Sequence, residues 1–93
     1  MRIAGYIPHP ILKITIFQME NKFAVKFEDT TLEQTYKFRQ GNGIDSVADI
    51  HQLINDSYIE EVQKLLSSMR SLQHKKLQEL LEKEDEDEFD DII

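Results

Sequence analysis

Histidine is the side chain that most often serves as a general base or a metal ligand near neutral pH, and this chain contains three. His9 lies between two prolines, whereas His51 and His74 fall in two different predicted helices. No two of them have the i, i+4 spacing by which one helix presents two ligands to a zinc ion. The histidines therefore predict no metal site. One alternative stays open, in which His51 or His74 meets a carboxylate across a dimer interface and forms a catalytic pocket.

Other common catalytic groups are also missing from the sequence. There is no cysteine, which excludes a thiolate zinc site, a cysteine nucleophile and a disulfide framework. Gly41 and Gly43 flank Asn42 shortly before Ser46, and backbone amides at such a helix start can hold a phosphate. The segment lacks the lysine and hydroxyl residue of a P-loop, and a turn followed by a helix cap accounts for it. We therefore predict no cofactor and no enzymatic activity.

Three antiparallel strands are predicted within residues 11–38. A two-residue turn at residues 20–21 places Ile16 opposite Val25. A one-residue slip would expose the apolar side chains, so this register is well specified. The predicted core face consists of Ile14, Ile16, Phe23, Val25, Phe27, Leu32, Tyr36 and Phe38.

A second turn, predicted at residues 29–30, places Phe27 opposite Leu32 and keeps the same apolar face inside. Residues 1–7 are a candidate for a short additional edge strand outside this meander. The prolines that follow force an extended link into the first main strand.

The opposite, solvent-facing side of the predicted sheet carries basic residues around one aromatic ring. Its candidate binding residues are Lys13, Phe17, Lys22, Lys26, Lys37 and Arg39. Several single-strand nucleic-acid modules stack a base on such a ring and neutralise phosphates with such cations. Cross-strand ion pairs, and charges that keep a sheet from pairing with other chains, explain the same residues. Both interpretations stay open.

Two helices are predicted after the sheet. Ser46 is a candidate N-cap for a short helix, and Ser57 with Glu60 has the form of a capping box for a second helix that continues to about Lys83. The second helix would be roughly 40 Å long, whereas a strand of seven residues spans about 25 Å. Its far leucines therefore need another surface, and a second copy related by a two-fold axis supplies one. These leucines are Leu72, Leu77, Leu80 and Leu81.

The C-terminal residues carry the whole net charge of −7. Residues 1–81 contain ten basic and ten acidic side chains, whereas residues 82–93 contain eight acids and one lysine. A dense acid run cannot form a core, so we predict a disordered acidic tail over residues 84–93. Its end mixes acids with apolar side chains, which favours capture by a basic, apolar groove. This candidate tail motif is Phe89, Asp90, Asp91, Ile92 and Ile93.

The tail motif resembles the acidic tip of bacterial single-stranded DNA-binding proteins, which recruits repair and replication enzymes through a terminal hydrophobic residue after aspartates. The similarity covers residues 88–93 only, with no proline and with Ile93 in place of the terminal phenylalanine. The resemblance implies a protein partner that binds the tail. A second hypothesis is internal, in which the tail folds over Lys22, Lys26 and Lys37 and competes with polyanions.

These patterns predict an α+β fold, in which a three-stranded antiparallel meander is followed by a short and a long α-helix packed on one sheet face (β-β-β-α-α). Residues 1–83 would form a single small domain. No apolar run approaches the length of a membrane span, no signal peptide is evident, and the lack of cysteine fits a reducing cytoplasm. We expect a cytoplasmic, non-enzymatic interaction module that forms a homodimer. A nucleic-acid-associated protein that binds single strands on the basic sheet face is the alternative.

Overall fold

The computed structural model describes the backbone of residues 1–92 and the side chains of residues 1–83. The elements are β1 (Arg2–Ile7), β2 (Lys13–Met19), β3 (Lys22–Glu28), β4 (Glu33–Arg39), α1 (Val47–Leu53) and α2 (Asp56–Ile92). The strands form one antiparallel sheet in the order β1-β2-β3-β4. The predicted α+β class is therefore confirmed. No helix in the described part of the chain is long and apolar enough to cross a bilayer.

The sheet has four strands and not the three of the predicted meander, because the candidate edge strand in residues 1–7 joins it as β1. β1 pairs with β2, with Ile3 opposite Phe17 and Tyr6 opposite Thr15. The register shifts between Ile3 and Gly5, as in a β-bulge. Because of this shift Ile3 and Tyr6 share a face although they are three residues apart. A strict period-two pattern therefore does not identify this strand.

The register of β2 against β3 agrees with the prediction from the two-residue turn. Ile16 lies opposite Val25, and Ile14 lies opposite Phe27. All four side chains are buried on the helix-facing side of the sheet. The central hairpin is thus confirmed in both register and facing.

The register of β4 against β3 differs from the prediction by two residues, because Phe27 lies opposite Gln34 and not opposite Leu32. The Asp29 carboxylate accepts hydrogen bonds from the backbone amides of Thr31 and Leu32, each at 2.9 Å. The Asp29 amide donates to the Leu32 carbonyl at 3.0 Å. This side-chain turn lengthens the loop to four residues. A shift of two residues equals the side-chain period of a strand, so every β4 residue keeps its predicted face.

One apolar core lies between the sheet and the two helices. The buried apolar residues packed in it are Leu12, Ile14, Ile16, Phe23, Val25, Phe27, Ile50, Ile54, Ile59, Val62 and Leu66. At its edge the rings of Phe27, Tyr36 and Tyr58 contact one another with centroid separations of 5.6 to 5.9 Å. Such aromatic contacts add to the stabilisation from burial alone.

The start of α1 agrees with the prediction, whereas the start of α2 does not. Ser46 is the N-cap of α1, and Asp49 completes a capping box, so the predicted cap is confirmed. The cap of α2 is Asn55 and not Ser57, because the Asn55 side chain accepts a hydrogen bond from the Tyr58 amide at 2.9 Å. The helix consequently begins at Asp56, ahead of the predicted start.

Candidate interaction surfaces

Helix α2 continues well past the sheet, and residues 71–83 are here called the projecting segment. Every residue of this segment is exposed, whereas Leu66 and Val62, five and nine residues before it, are buried. Thirteen residues of helix extend about 20 Å. The molecule is accordingly 65 Å long but only 26 by 20 Å across.

Four leucines in the projecting segment are exposed to solvent. Leu77 and Leu80 are 56% and 53% exposed, and Leu72 and Leu81 are similarly exposed. At 100° per residue, Leu77 and Leu80 lie within about 40° of the direction of Leu66 around the helix axis. The apolar stripe that packs on the sheet therefore continues along the projecting segment, where the described part of the chain places nothing against it.

The charges along the distal half of α2 are segregated by sign. Residues 70–76 contain four potentially cationic side chains and no acid, namely Arg70, His74, Lys75 and Lys76. Residues 79–91 are acidic apart from Lys83 and the apolar positions. Lys76 Nζ makes a local ion pair with Glu79 Oε2 at 3.2 Å. One end of this segment is thus basic and the other acidic.

The base of the projecting segment is attached to the β3–β4 loop by an ion pair between Arg70 and Asp29. The two amide hydrogen bonds from Thr31 and Leu32, together with Arg70, hold the pKa of the Asp29 carboxyl below its usual value. About two turns earlier in α2, the Val62 carbonyl accepts a hydrogen bond from Gln34 Nε2 at 3.4 Å. These contacts fix the position from which the segment leaves the sheet.

The sheet face turned away from the helices is here called the outer face. The structure brings all six candidate binding residues of the sheet onto it. Lys13, Lys37 and Arg39 are exposed there, while Phe17 and Lys22 are partly buried. Lys22 lies directly opposite Arg39, and Lys37 lies opposite Ala24.

Lys26 occupies the middle of the outer face. Its ammonium group lies 3.8 Å from a Glu28 carboxylate oxygen and 4.0 Å from a Glu33 carboxylate oxygen. The same nitrogen lies 5.6 Å from the centroid of the Phe17 ring, within the range of a cation–π contact. Both acids of the outer face therefore lie within 4.0 Å of Lys26, whose single charge offsets one of their two.

Two further apolar side chains on the outer face come from β1. Ile3 is 53% exposed beside Phe17, and Tyr6 is 54% exposed beside Thr15. Sequence reasoning missed both as surface groups because it gave the candidate edge strand in residues 1–7 no register against β2. The register of a bulged edge strand is the signal that identifies them.

Residues 1–81 contain equal numbers of basic and acidic side chains, but these are distributed unevenly over the surface. The outer face carries five cations and two acids, whereas the start of α1 and the first turns of α2 carry acids. These acids are Asp45, Asp49, Asp56, Glu60 and Glu61. The excess of cations on the outer face therefore favours the approach of an anion from that side.

An open groove of about 370 Å³ lies where β4, the α1–α2 junction and α2 meet. Tyr36, Leu53, Tyr58 and Leu65 supply its apolar walls, and Glu61 lies at its rim. Burial, and secondarily the nearby Tyr36 hydroxyl, raise the pKa of Tyr58. The groove thus presents two phenol rings and one carboxylate.

The histidines lie apart, as their sequence positions indicate. His9 Nδ1 accepts hydrogen bonds from the amides of Ile11 and Leu12, each at 3.1 Å, and so supports the link before β2. His51 and His74 are exposed on α1 and α2. Within residues 1–83, no group of three or more histidine or acidic side chains is arranged to hold a metal ion.

The glycine segment before α1 forms a reverse turn. Gly41 and Ile44 exchange backbone hydrogen bonds of 2.9 and 3.2 Å, and Asn42 and Gly43 both have positive φ angles. Next to it, hydrogen bonds from the Asp45 amide, the Ser46 hydroxyl and the Ser46 amide lower the pKa of the Asp49 carboxyl. The carboxylate already occupies the amides at this helix start.

The candidate tail motif, Phe89 to Ile93, lies outside the residues whose side chains the structure describes. The predictions of a disordered tail and of a partner bound through it stay predictions. No protein-family model, curated protein or solved structure matches the chain.

Proposed function

We propose that this protein is a non-enzymatic interaction module that forms an antiparallel homodimer through the projecting segment of α2. The observation that carries the proposal is the continuation of the core-facing stripe beyond the sheet, with Leu77 and Leu80 more than half exposed. Transfer of such side chains out of water contributes about 25 cal/mol per Å² of apolar surface buried.

The segregated charge supports a second copy, in the antiparallel orientation, as the occupant of this stripe. An antiparallel pair aligns the basic part of one helix, which includes Lys75 and Lys76, with the acidic part of the other, which includes Glu79 and Glu82. A parallel pair would align like charges. The two-fold axis of an antiparallel pair, set between Leu77 and Leu80, also places the two sheets at opposite ends of the dimer.

Gln73 and Lys76 interrupt a regular heptad, so the contact would be a short helix pair and not an extended coiled coil. The dimer leaves both outer sheet faces accessible. In this proposal the helix pair joins two modules, and the sheet faces and the tails are available for other partners in the cytoplasm.

Sedimentation of the full chain over micromolar concentrations tests the proposal, with Leu80→Glu as the disruptive variant. In a dimer with two-fold symmetry both copies carry the substitution near the axis, so each dimer would bury two glutamate carboxylates. Ile11→Glu is the matched control, because Ile11 is exposed outside α2 and the charge change is the same.

We expect a concentration-dependent dimer for the natural sequence and for Ile11→Glu, and a monomer for Leu80→Glu. A natural chain that remains monomeric throughout the concentration range would overturn the proposal. A dimer that Leu80→Glu leaves intact would show that the contact lies elsewhere.

A further inference from the structure

We infer that the outer sheet face binds single-stranded nucleic acid, with Tyr6 and Phe17 as stacking side chains and Lys22, Lys37 and Arg39 as phosphate contacts. This site is on the opposite side of the sheet from α2 and does not depend on the proposed dimer. The inference depends on two features that only the folded sheet brings together, a pair of rings and a cluster of cations.

The first feature is the pair of aromatic rings. Tyr6 lies opposite Thr15, and Phe17 is the next residue of β2 on the same face, so the two rings are diagonal cross-strand neighbours. Thr15 and Ala24 beside them are only 3% and 2% exposed, because larger neighbouring side chains cover them. Tyr6, at 54% exposed, and the partly buried Phe17 are therefore the surfaces that a ligand can reach there. Aromatic rings presented in this way stack unpaired bases with little sequence preference.

The second feature is an uncompensated pair of cations. Lys22 lies directly opposite Arg39, and like charges facing each other across a sheet are destabilising. Glu28 and Glu33 face each other in the same way at the far end of the sheet, but Lys26 lies within 4.0 Å of both. Within residues 1–83, no ion pair involves Lys22 or Arg39. A bound phosphate would relieve this repulsion.

The cations at this end of the outer face are not fully explained as a protection of sheet edges against pairing with other chains. Lysine commonly protects exposed edge strands, but Lys22 belongs to β3, which has a neighbour on both sides. Lys37 lies next to Arg39 on the same face of β4, so three cations surround one corner of the outer face. Their position beside Phe17 and Ala24 favours a ligand that carries both phosphates and aromatic rings.

The test is fluorescence anisotropy with the full chain at low ionic strength and labelled oligothymidylate or oligouridylate, with duplex DNA of the same length and inorganic polyphosphate as competitors. We expect either single strand to bind, and the duplex to compete weakly because its bases are already stacked. The affinities for oligothymidylate and oligouridylate then show whether the face prefers single-stranded DNA or RNA.

Tyr6→Leu combined with Phe17→Leu keeps apolar bulk but removes the rings, and should weaken binding about fivefold or more. Circular dichroism checks that this variant folds, and Tyr6→Leu alone, on the exposed edge strand, provides a second variant. Lys22→Gln combined with Arg39→Gln should reduce the slope of log affinity against log salt by about 1.4. Lys64→Glu changes the net charge by the same two units on α2, away from the proposed dimer contact, and should leave binding unchanged.

Absence of binding by the full chain at low salt would overturn the inference. So would equal losses in the α2 control, which would indicate only a general charge effect. If polyphosphate competes as well as single strands and the leucine variants bind normally, the face is a simple polyanion surface and the stacking site does not exist.

Discussion

Asp29 and Arg70 form an ion pair between the β3–β4 loop and helix α2 at the point where the helix leaves the sheet. The Asp29 side chain is only 12% exposed, because the same carboxylate also accepts two backbone amides of its own loop. One side chain therefore determines both the length of the loop and the attachment of the projecting segment. Residues after Arg70 are exposed, up to the end of the described side chains.

Acid should destabilise the protein through Asp29. Its folded-state pKa lies below its ordinary value, so its stabilising contribution is present above the unfolded-state pKa and is lost as the pH falls through the folded-state pKa. Asp29→Asn should therefore reduce the loss of unfolding free energy between about pH 4 and pH 2. Urea denaturation at a series of pH values measures this loss.

The backbone amides, more than Arg70, lower the pKa of Asp29. Arg70→Ala should consequently retain the larger part of the acid dependence that Asp29→Asn removes. Equal flattening of the pH profile by the two variants would contradict this assignment and would make the ion pair the main cause.

Two leucines of α2 should differ strongly in their effect on stability. Leu66→Ala removes a side chain that is 2% exposed and should lower the free energy of unfolding by about 2–5 kcal/mol. Leu72→Ala alters a side chain that is 58% exposed and should change it by no more than about 0.5 kcal/mol. The measurement is urea denaturation at a protein concentration where the chain is monomeric. A similar loss of unfolding free energy for Leu66→Ala and Leu72→Ala would mean that Leu72 is buried in solution.

The start of α2 can be located by alanine substitution. Asn55→Ala removes the side-chain acceptor for the Tyr58 amide and should cost about 0.5–2 kcal/mol of stability. Ser57→Ala lies inside the helix, where alanine has the higher helix propensity, and should be close to neutral. Thermal unfolding of the two variants compares them directly, and a larger loss for Ser57→Ala would favour the capping box predicted from sequence.

The orientation of the proposed dimer should depend on the segregated charges of α2. Lys75→Glu combined with Lys76→Glu makes the basic part of the segment acidic, so repulsion should weaken the dimer at low salt. Adding Glu79→Lys and Glu82→Lys should restore it by exchanging the two signs. Sedimentation equilibrium at low and high salt measures both effects. Lys13→Glu combined with Lys37→Glu is the control on the sheet, and an equal loss there would remove the argument for antiparallel pairing.

Removal of residues 84–93 should increase the affinity of the outer face for single strands, since this segment contains seven acidic residues and no basic one. The increase should be largest at low salt and should disappear as screening becomes complete. Anisotropy titrations of the shortened and full chains over a salt series provide the measurement. A salt-independent increase would indicate a specific contact between the tail and the face.

Local patterning in the sequence determined the central hairpin and the facing of β4. In the β2–β3 hairpin a two-residue turn specifies the register, and burial of Ile16 and Val25 penalises a slip of one residue. The inward and outward side chains of β4 were predicted correctly although its register was not, because a shift of two residues returns each side chain to the same face. The excess length of α2 followed from its stripe of leucines, which has no helix breaker.

Tertiary structure decided the features that depend on side-chain hydrogen bonds or on long-range pairing. The β3–β4 loop has four residues because Asp29 binds amides ahead of it, and α2 starts early because Asn55, not Ser57, caps it. Strand β1 is positioned by pairing with β2 across a bulge, which hides its alternation in the sequence. The placing of Tyr6 near Phe17, and of Lys22 opposite Arg39, on one face therefore required the assembled sheet, because only strand pairing brings residues so distant in sequence side by side.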